Sequence, residues 1–273
     1  MTSIKLEEQE FVDKAKAFTL RVGEGAVLLL VGSRAAGLND SWSDLDMWVI
    51  GDKNNLSPAE FETYKTNKQV FFDRGDYEAH WTFYDAEDLH QYLYSWPDER
   101  MWLSLTSTIL FGNEATATHL HRQCRNYPRE VVEKKLKWHF GKYGSLLGPL
   151  NTAARGMPET SVMVVGQVIE HLCKICCLSE LKPFPYAKWL VSVASQTTLG
   201  NDLIPYISRA TSGLSEFLHP PEGKPFRELI PLKELRETKE IVRGGLKKLG
   251  WDSSWIEKMD EALVDTFSAE RGY

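Results

Sequence analysis

The sequence lacks the features that mark several large classes of protein. Its net charge is −6, so it has no excess of basic side chains, and this disfavours a general nucleic-acid binder, which usually carries a basic face. No segment offers the roughly twenty apolar residues that a membrane span requires, so we expect no membrane association. The first residues do not place a basic region before an apolar one, and no secretory signal is expected.

Cysteine is also scarce. The chain has four cysteines in 273 residues, and their spacing forms no disulfide framework, which fits a reducing cytoplasm. Cys173, Cys176 and Cys177 share one predicted helix. Ligands crowded on one helix rarely complete a tetrahedral zinc site, so we expect these side chains to pack as small apolar groups. The composition is that of a globular protein, and the length allows one large or two ordinary domains.

The most informative stretch is residues 26–50. It begins as a short apolar strand, passes through a Gly-Ser pair and a polar loop, and enters a second strand at Asp44-Leu45-Asp46. Because residues i and i+2 of a strand point to the same face, both carboxylates are expected side by side. Adjacent carboxylates repel each other, and a hard divalent cation such as Mg²⁺ relieves that repulsion.

The Gly-Ser pair after the first strand predicts a phosphate site. Gly32 lets the backbone approach phosphate oxygens, and Ser33 offers an N–H and a hydroxyl. Arg34 adds a planar cation suited to phosphate, and the helix that begins here attracts anions at its N-terminus. The alternative is a turn with solvated acids, because Asp-x-Asp and Gly-Ser are each weak signals alone.

The combined pattern has four fixed residues: Gly32, Ser33, Asp44 and Asp46. Ten residues separate the two pairs, and an apolar strand follows. This resembles the signature of the nucleotidyltransferase superfamily that shares the DNA polymerase β catalytic core. The resemblance implies two Mg²⁺ ions at the aspartates, ATP or another nucleoside triphosphate as co-substrate, and phosphate binding at the Gly-Ser turn. It also implies a third carboxylate from a later strand.

Residues 77–84 predict a strand with one apolar and one polar face, and Glu78 and His80 lie on the polar face. By position and facing, Glu78 is the candidate for the third carboxylate, both as a metal ligand and as the acceptor of the proton from the attacking hydroxyl. His80 is a candidate contact to substrate or phosphate. Trp42, in the loop before the aspartates, is a candidate to line the nucleotide or acceptor pocket. The alternative for the strand is an ordinary solvated face.

The second half of the chain predicts helices only, separated by glycine and proline. The predicted fold class is therefore α+β: a nucleotidyltransferase mixed sheet flanked by helices at residues 1–125, then an all-α helical bundle at residues 126–273 that completes the acceptor cleft. This order and size resemble those of two-domain aminoglycoside and lincosamide adenylyltransferases. Glu170, a charge within an apolar predicted helix, is a candidate for substrate binding and the second candidate for the general base. The alternative is a rim-exposed glutamate.

These features predict a Mg²⁺-dependent enzyme that moves a nucleoside monophosphate, in the first instance AMP from ATP, to a hydroxyl of a small molecule and releases pyrophosphate. An aminoglycoside- or lincosamide-type antibiotic is the family-level expectation for the acceptor, which would imply antibiotic resistance. A monomer and a homodimer are both compatible with the resemblance.

Three alternatives stay open on the sequence. In the first, the chain is a nucleotidyltransferase whose acceptor is a protein or RNA. In the second, the chain binds nucleotide without turnover, and in the third, the Asp-x-Asp pair belongs to a glycosyltransferase. The last of these would not need Gly32-Ser33 after the first strand.

Overall fold

The computed structural model describes residues 4–76 and 78–258. The chain divides into two compact units, Met1–Tyr127 and Pro128–Tyr273, which we call unit 1 and unit 2. The sequence places the boundary between residues 125 and 126.

Unit 1 contains both strands and helices, interspersed along the chain. Its strands are β1 (Val27–Val31), β2 (Leu45–Gly51), β3 (Val70–Asp73), β4 (Ala79–Asp85) and β5 (Thr108–Gly112). Its α-helices are α1 (Gln9–Arg21), α2 (Gly32–Ala35), α3 (Pro58–Asn67), α4 (Ala86–Leu93), α5 (Asp98–Thr106) and α6 (Glu114–Arg125). Short 3-10 helices lie at Leu6–Glu8 and Lys53–Asn55.

The five strands form one mixed sheet in the order β3-β4-β2-β1-β5. β2 and β4 run parallel, and the other neighbouring pairs are antiparallel. The predicted α+β class, a mixed sheet with helices followed by a helical portion, is confirmed. β5 was not predicted, because the sequence at residues 111–113 indicates only a turn. β4 begins at Ala79, two residues later than the predicted strand at residue 77.

Helix α1 packs its apolar side against one face of the sheet. The ring of Phe11 lies 4.6 Å from that of Trp81, and the ring of Phe18 lies 4.9 Å from that of Phe72, measured between centroids. Val22 is fully buried in the same cluster. The prediction that Phe18 and Val22 pack under the sheet is confirmed, and burying each such side chain contributes about 1.5–3 kcal/mol.

The start of α3 follows the sequence prediction. Ser57 and Glu60 form a reciprocal capping box, in which each side chain bonds the backbone N–H of the other residue, and Pro58 occupies the first helical position.

The described part of unit 2, residues 128–258, contains helices and no strand. Its α-helices are α7 (Arg129–Leu146), α8 (Pro158–Ser179), α9 (Ala187–Ala194), α10 (Thr198–Ser212), α11 (Ser215–Leu218), α12 (Ile230–Lys248) and α13 (Ser253–Glu257). Short 3-10 helices lie at Pro149–Arg155 and Phe226–Glu228. α7 packs against α8, and α10 against α12. Most of the last predicted helix, residues 254–269, lies outside the described residues.

Helix α8 is the apolar centre of unit 2. By its length and the composition of its most apolar window it could cross a membrane, which corrects the expectation that no segment reaches that range. The reason is that an averaged hydropathy tolerates the few polar residues of this helix. More than half of that window is buried inside the protein, as in the core helix of a soluble domain. Cys173, Cys176 and Cys177 are buried on this helix.

Candidate active site

Three backbone segments meet at one end of the sheet in unit 1. β1 ends at Val31, and the parallel strands β2 and β4 begin at Leu45 and Ala79. The register places Asp46 between Val31 on one side and His80 on the other. Side chains from the end of β1 and from the starts of β2 and β4 are therefore brought together.

Asp44, Asp46 and His80 form a cluster of potential metal ligands. One ligand atom from each side chain can be chosen so that all three lie within 4.8 Å of one another. Nε2 of His80 is 2.8 Å from Oδ1 of Asp46, and the two side chains are 29% and 19% exposed. Asp44 is half-buried, and its carboxylate accepts no hydrogen bond from any described residue. A partly desolvated carboxylate without a partner beside a second one favours binding of a cation.

The pKa of His80 is raised. Its hydrogen bond to Asp46 is the largest cause; burial acts in the opposite direction, and the charges of Asp46, Asp44 and Asp73 add to the increase. The raised pKa favours the protonated imidazole, whose charge would balance part of the negative charge of the cluster. A divalent cation would take over this role and release that proton, because metal ligands bind in their deprotonated form.

Gly32 brings the turn after β1 against Asp46. Its φ is +73°, a left-handed conformation that favours glycine, and a Cβ there would lie 2.5 Å from Oδ2 of Asp46. The next residue, Ser33, is 2% exposed, and its hydroxyl has no hydrogen-bond partner among the described residues. The predicted turn therefore lies beside the aspartates, as the spacing of the two pairs implies.

Arg34 makes hydrogen bonds within the protein. Its guanidinium donates two hydrogen bonds of 2.8 Å to the carboxylate of Glu8 and two, of 2.8 and 3.3 Å, to the carbonyl of Ser43. The side chains of Arg34 and Glu8 are 6% and 1% exposed. These donors face buried acceptors of the protein, and the predicted contact of Arg34 with phosphate stays a prediction. Arg34 holds the residue that precedes Asp44.

Glu78 lies just before β4 and is not part of the cluster. Its side chain is exposed, its N–H bonds Oδ1 of Asp76 at 3.2 Å, and its carbonyl accepts from the N–H of Leu45 at 2.8 Å. The residue of β4 that lies next to Asp46 is His80. The parallel register of β2 and β4 decides this, and the sequence does not give that register. The predicted roles of Glu78 stay predictions.

The other two predicted residues lie outside the cluster. Trp42 is 89% exposed in the loop before Asp44, where its N–H bonds Oδ1 of Asp40 at 3.0 Å. Glu170 lies on α8 in unit 2 and pairs with Lys174 at 2.5 Å. Their predicted contacts with substrate remain predictions. Sequence reasoning missed Glu8, which reads as an ordinary surface charge near the start of α1.

No family model matches the chain, and no curated protein matches it in sequence. Among solved structures, a nucleotidyltransferase-like protein from Exiguobacterium sibiricum 255-15 aligns over 96% of this chain and 90% of its own chain, with a TM-score of 0.45 and 14% identity. A likeness at this level establishes neither family nor activity.

Proposed function

We propose that this protein is a metal-dependent nucleotidyltransferase that moves AMP from ATP to a hydroxyl of a small molecule. The observation that supports this best is the close approach of the Gly32 backbone to the carboxylate of Asp46. This contact brings the Gly-Ser turn, the candidate phosphate site, next to the carboxylate pair, although ten residues separate the two segments in the chain.

The residues fit a divalent cation. Asp44 is half-buried without a hydrogen-bond donor among the described residues, and its oxygen lies within 4.8 Å of ligand atoms on Asp46 and His80. Burying such a set of metal ligands without a partner is unfavourable, and a bound cation makes the arrangement favourable. When bound, a divalent ion supplies polarisation of a phosphoryl oxygen and neutralises developing charge. Asp44 and Asp46 would hold it.

Ser33 is the residue we assign to the phosphates. The residue is buried, its hydroxyl has no partner among the described residues, and the first N–H groups of a helix have no partner within that helix. Both the hydroxyl and the N–H are donors suited to phosphate oxygens. Ser33 and the backbone of Gly32 would therefore orient the triphosphate so that pyrophosphate is the leaving group.

The reaction joins the acceptor oxygen to the α-phosphorus and breaks the bond from that phosphorus to the pyrophosphate oxygen. The acceptor hydroxyl gives up its proton, and a positioned base typically contributes about 10²–10⁴-fold to the rate. Glu78, exposed at the start of β4, is the first candidate for this base and Glu170 the second. Trp42, exposed in the loop before Asp44, is the candidate to line the nucleotide or acceptor pocket. An antibiotic of the aminoglycoside or lincosamide type is the acceptor to test first.

The experiment is incubation with labelled ATP, a divalent ion and a library of hydroxylated antibiotics and metabolites, followed by mass spectrometry and a pyrophosphate assay. We expect the wild type to form a nucleotidyl adduct and to release an equal amount of pyrophosphate. The surface control Asp13→Asn should do the same. Asp46→Asn should lower both by about 10²-fold or more, because the electrostatic stabilisation that a metal site provides is among the largest catalytic terms. Full activity of Asp46→Asn would refute the role of the carboxylate pair.

A second candidate is a protein that binds nucleotide without turnover. His80, rather than a third carboxylate, completes the cluster, and this observation favours that reading. Nucleotide binding without an adduct or pyrophosphate across the whole library would support it.

A further inference from the structure

We propose that His80 is a direct ligand of the divalent ion, and that this nitrogen makes the site prefer a transition ion such as Mn²⁺ to Mg²⁺. The inference rests on the function proposed above only for the presence of an ion, since it concerns which atoms bind that ion. It replaces a substrate role for His80 with a role in choosing the metal.

The position of the imidazole supports ligation. Nε2 of His80 is 2.8 Å from Oδ1 of Asp46. Two ligands bound at right angles to one ion at about 2.1 Å are separated by about 3.0 Å, so this spacing needs little adjustment. Asp44 offers a third atom within 4.8 Å of both. One nitrogen and two oxygens thus lie close enough together for a single ion to draw them into contact with small side-chain movements.

The ring is also held in place by its surroundings. His80 lies within β4, in register with Asp46 on β2 and with Asp73 on β3. The ring of Phe71 lies 5.1 Å from that of His80, measured between centroids. Since the strand and the neighbouring ring restrict the imidazole, little entropy is lost when its nitrogen binds an ion.

Ligand chemistry then decides the preference among ions. Mg²⁺ favours oxygen donors, whereas imidazole suits transition ions, whose affinity for nitrogen rises from Mn²⁺ onward. Had Glu78 lain beside the aspartates, the set would have been all oxygen. With His80 in that place, a nitrogen joins the atoms that bind the ion, and we expect Mn²⁺ to bind more tightly than Mg²⁺.

The test is electron paramagnetic resonance of the full-length protein with Mn²⁺, without nucleotide. Titration gives the affinity from the loss of the free Mn²⁺ signal, and pulsed spectra detect ¹⁴N coupled to the bound ion. We expect ¹⁴N coupling in the wild type that changes to ¹⁵N coupling when histidine is ¹⁵N-labelled. Mg²⁺ at equal concentration should displace little of the bound Mn²⁺.

Matched variants identify the nitrogen. His80→Gln should lose the coupling and lower Mn²⁺ affinity about tenfold or more. Removing a group that only orients a ligand already costs about this much, and removing a ligand should cost at least as much. Glu78→Gln and the exposed control His119→Gln should keep both. Circular dichroism checks that each variant is folded, and the ¹⁵N-labelled wild type provides the test without any substitution.

Three results would overturn the proposal: no Mn²⁺ binding, Mn²⁺ binding without histidine nitrogen coupling in the wild type, or coupling that persists in folded His80→Gln. The first two are read from the wild type alone. If coupling is found but no nucleotidyl adduct forms with any acceptor, the proposed function fails and the ligand assignment stands. If an adduct forms but no histidine nitrogen coupling is found, the ligand assignment fails and the proposed function stands.

Discussion

At the scale of single residues, Gly32 has a conformation and a neighbour that both disfavour any side chain. Its φ is +73°, and a Cβ would lie 2.5 Å from Oδ2 of Asp46. Gly37, five residues on, has a φ of +69°, and a Cβ added there would have no atom within 4 Å. The two glycines share the left-handed backbone, and only Gly32, which is buried, contacts the carboxylate.

This pair gives a matched test. Gly32→Ala should displace the Asp46 carboxylate and lower Mn²⁺ affinity about tenfold or more, as loss of a group that positions a ligand does. Gly37→Ala should cost only the backbone strain of about 1–2 kcal/mol in the free energy of unfolding and leave ion affinity unchanged. Metal titration and urea unfolding of both variants measure this. Equal ion affinity in the two variants would contradict the role of Gly32.

The residues also show what the sequence could and could not predict. Asp44 and Asp46 were found because the two-residue period of a strand is local information. The neighbour of Asp46 on β4 is His80, and the sequence does not reveal this, because it depends on how β2 and β4 align, which long-range packing decides. The partner of Arg34 was missed for the same reason, since Glu8 is distant in the chain and nothing near it indicates burial.

At the scale of elements, helices α7 and α8 face each other through two histidines. Nδ1 of His139 lies 2.9 Å from Nδ1 of His171, so one imidazole donates and the other accepts, which requires at least one neutral ring. Burial lowers the pKa of His171 to about 4 and that of His139 well below its usual value. The charged groups that act on the pair are Glu170, Lys135, Lys142 and Lys174.

The sign of the pH dependence follows from these directions. Because both pKa values are lower in the folded protein than the value of about 6.5 in an unfolded chain, the unfolded chain binds more protons in acid. The stabilisation is fully present above about pH 6.5 and is lost as the pH falls towards 4. We expect the free energy of unfolding to fall by about 2 kcal/mol or more between pH 7 and pH 5.

Urea unfolding over that pH range, followed by circular dichroism, measures the effect. His171→Gln keeps a hydrogen-bonding group that does not titrate, and it should flatten the dependence. The exposed His119→Gln should leave the slope as in the wild type. A slope unchanged by His171→Gln would show that other groups control the stability in acid.

The elements divide in the same way between predictable and missed. The capping box of α3 was predicted because Ser57 and Glu60 are three residues apart and act locally. β5 was missed because it is an edge strand with mostly exposed or half-buried side chains, so it lacks the alternation that marks a buried face. Its pairing with β1 also shifts register between Leu28 and Leu29.

At the scale of the whole molecule, the change of pattern along the chain corresponds to two compact units, and every residue of the cluster lies in the first. Composition also explains why α8 is long and apolar enough to cross a membrane. The core helix of an all-helical unit needs apolar side chains on most of its surface. The apolar content of α8 therefore predicts that the helix is buried, whereas only the three-dimensional structure shows what covers it.

The cluster links ion binding to global stability. Asp44 and Asp46 come together only in the folded chain, so an ion held by both binds the folded state and raises the free energy of unfolding by RT ln(1 + [L]/Kd). At a free Mn²⁺ concentration of 100 times Kd this amounts to about 2.7 kcal/mol. Calorimetry with and without Mn²⁺ should show the melting temperature rise by several degrees, and EDTA should reverse the rise.

Two variants separate this effect from a general effect of salt. Asp46→Asn should melt at the same temperature with and without Mn²⁺, because one of the two carboxylates no longer carries charge. Asp13→Asn changes an exposed aspartate that bonds Gln9 and Lys16, so it removes the same charge elsewhere in unit 1 and should respond as the wild type does. If Asp46→Asn gains as much stability from Mn²⁺ as Asp13→Asn, the ion binds elsewhere and the carboxylate pair is not its site.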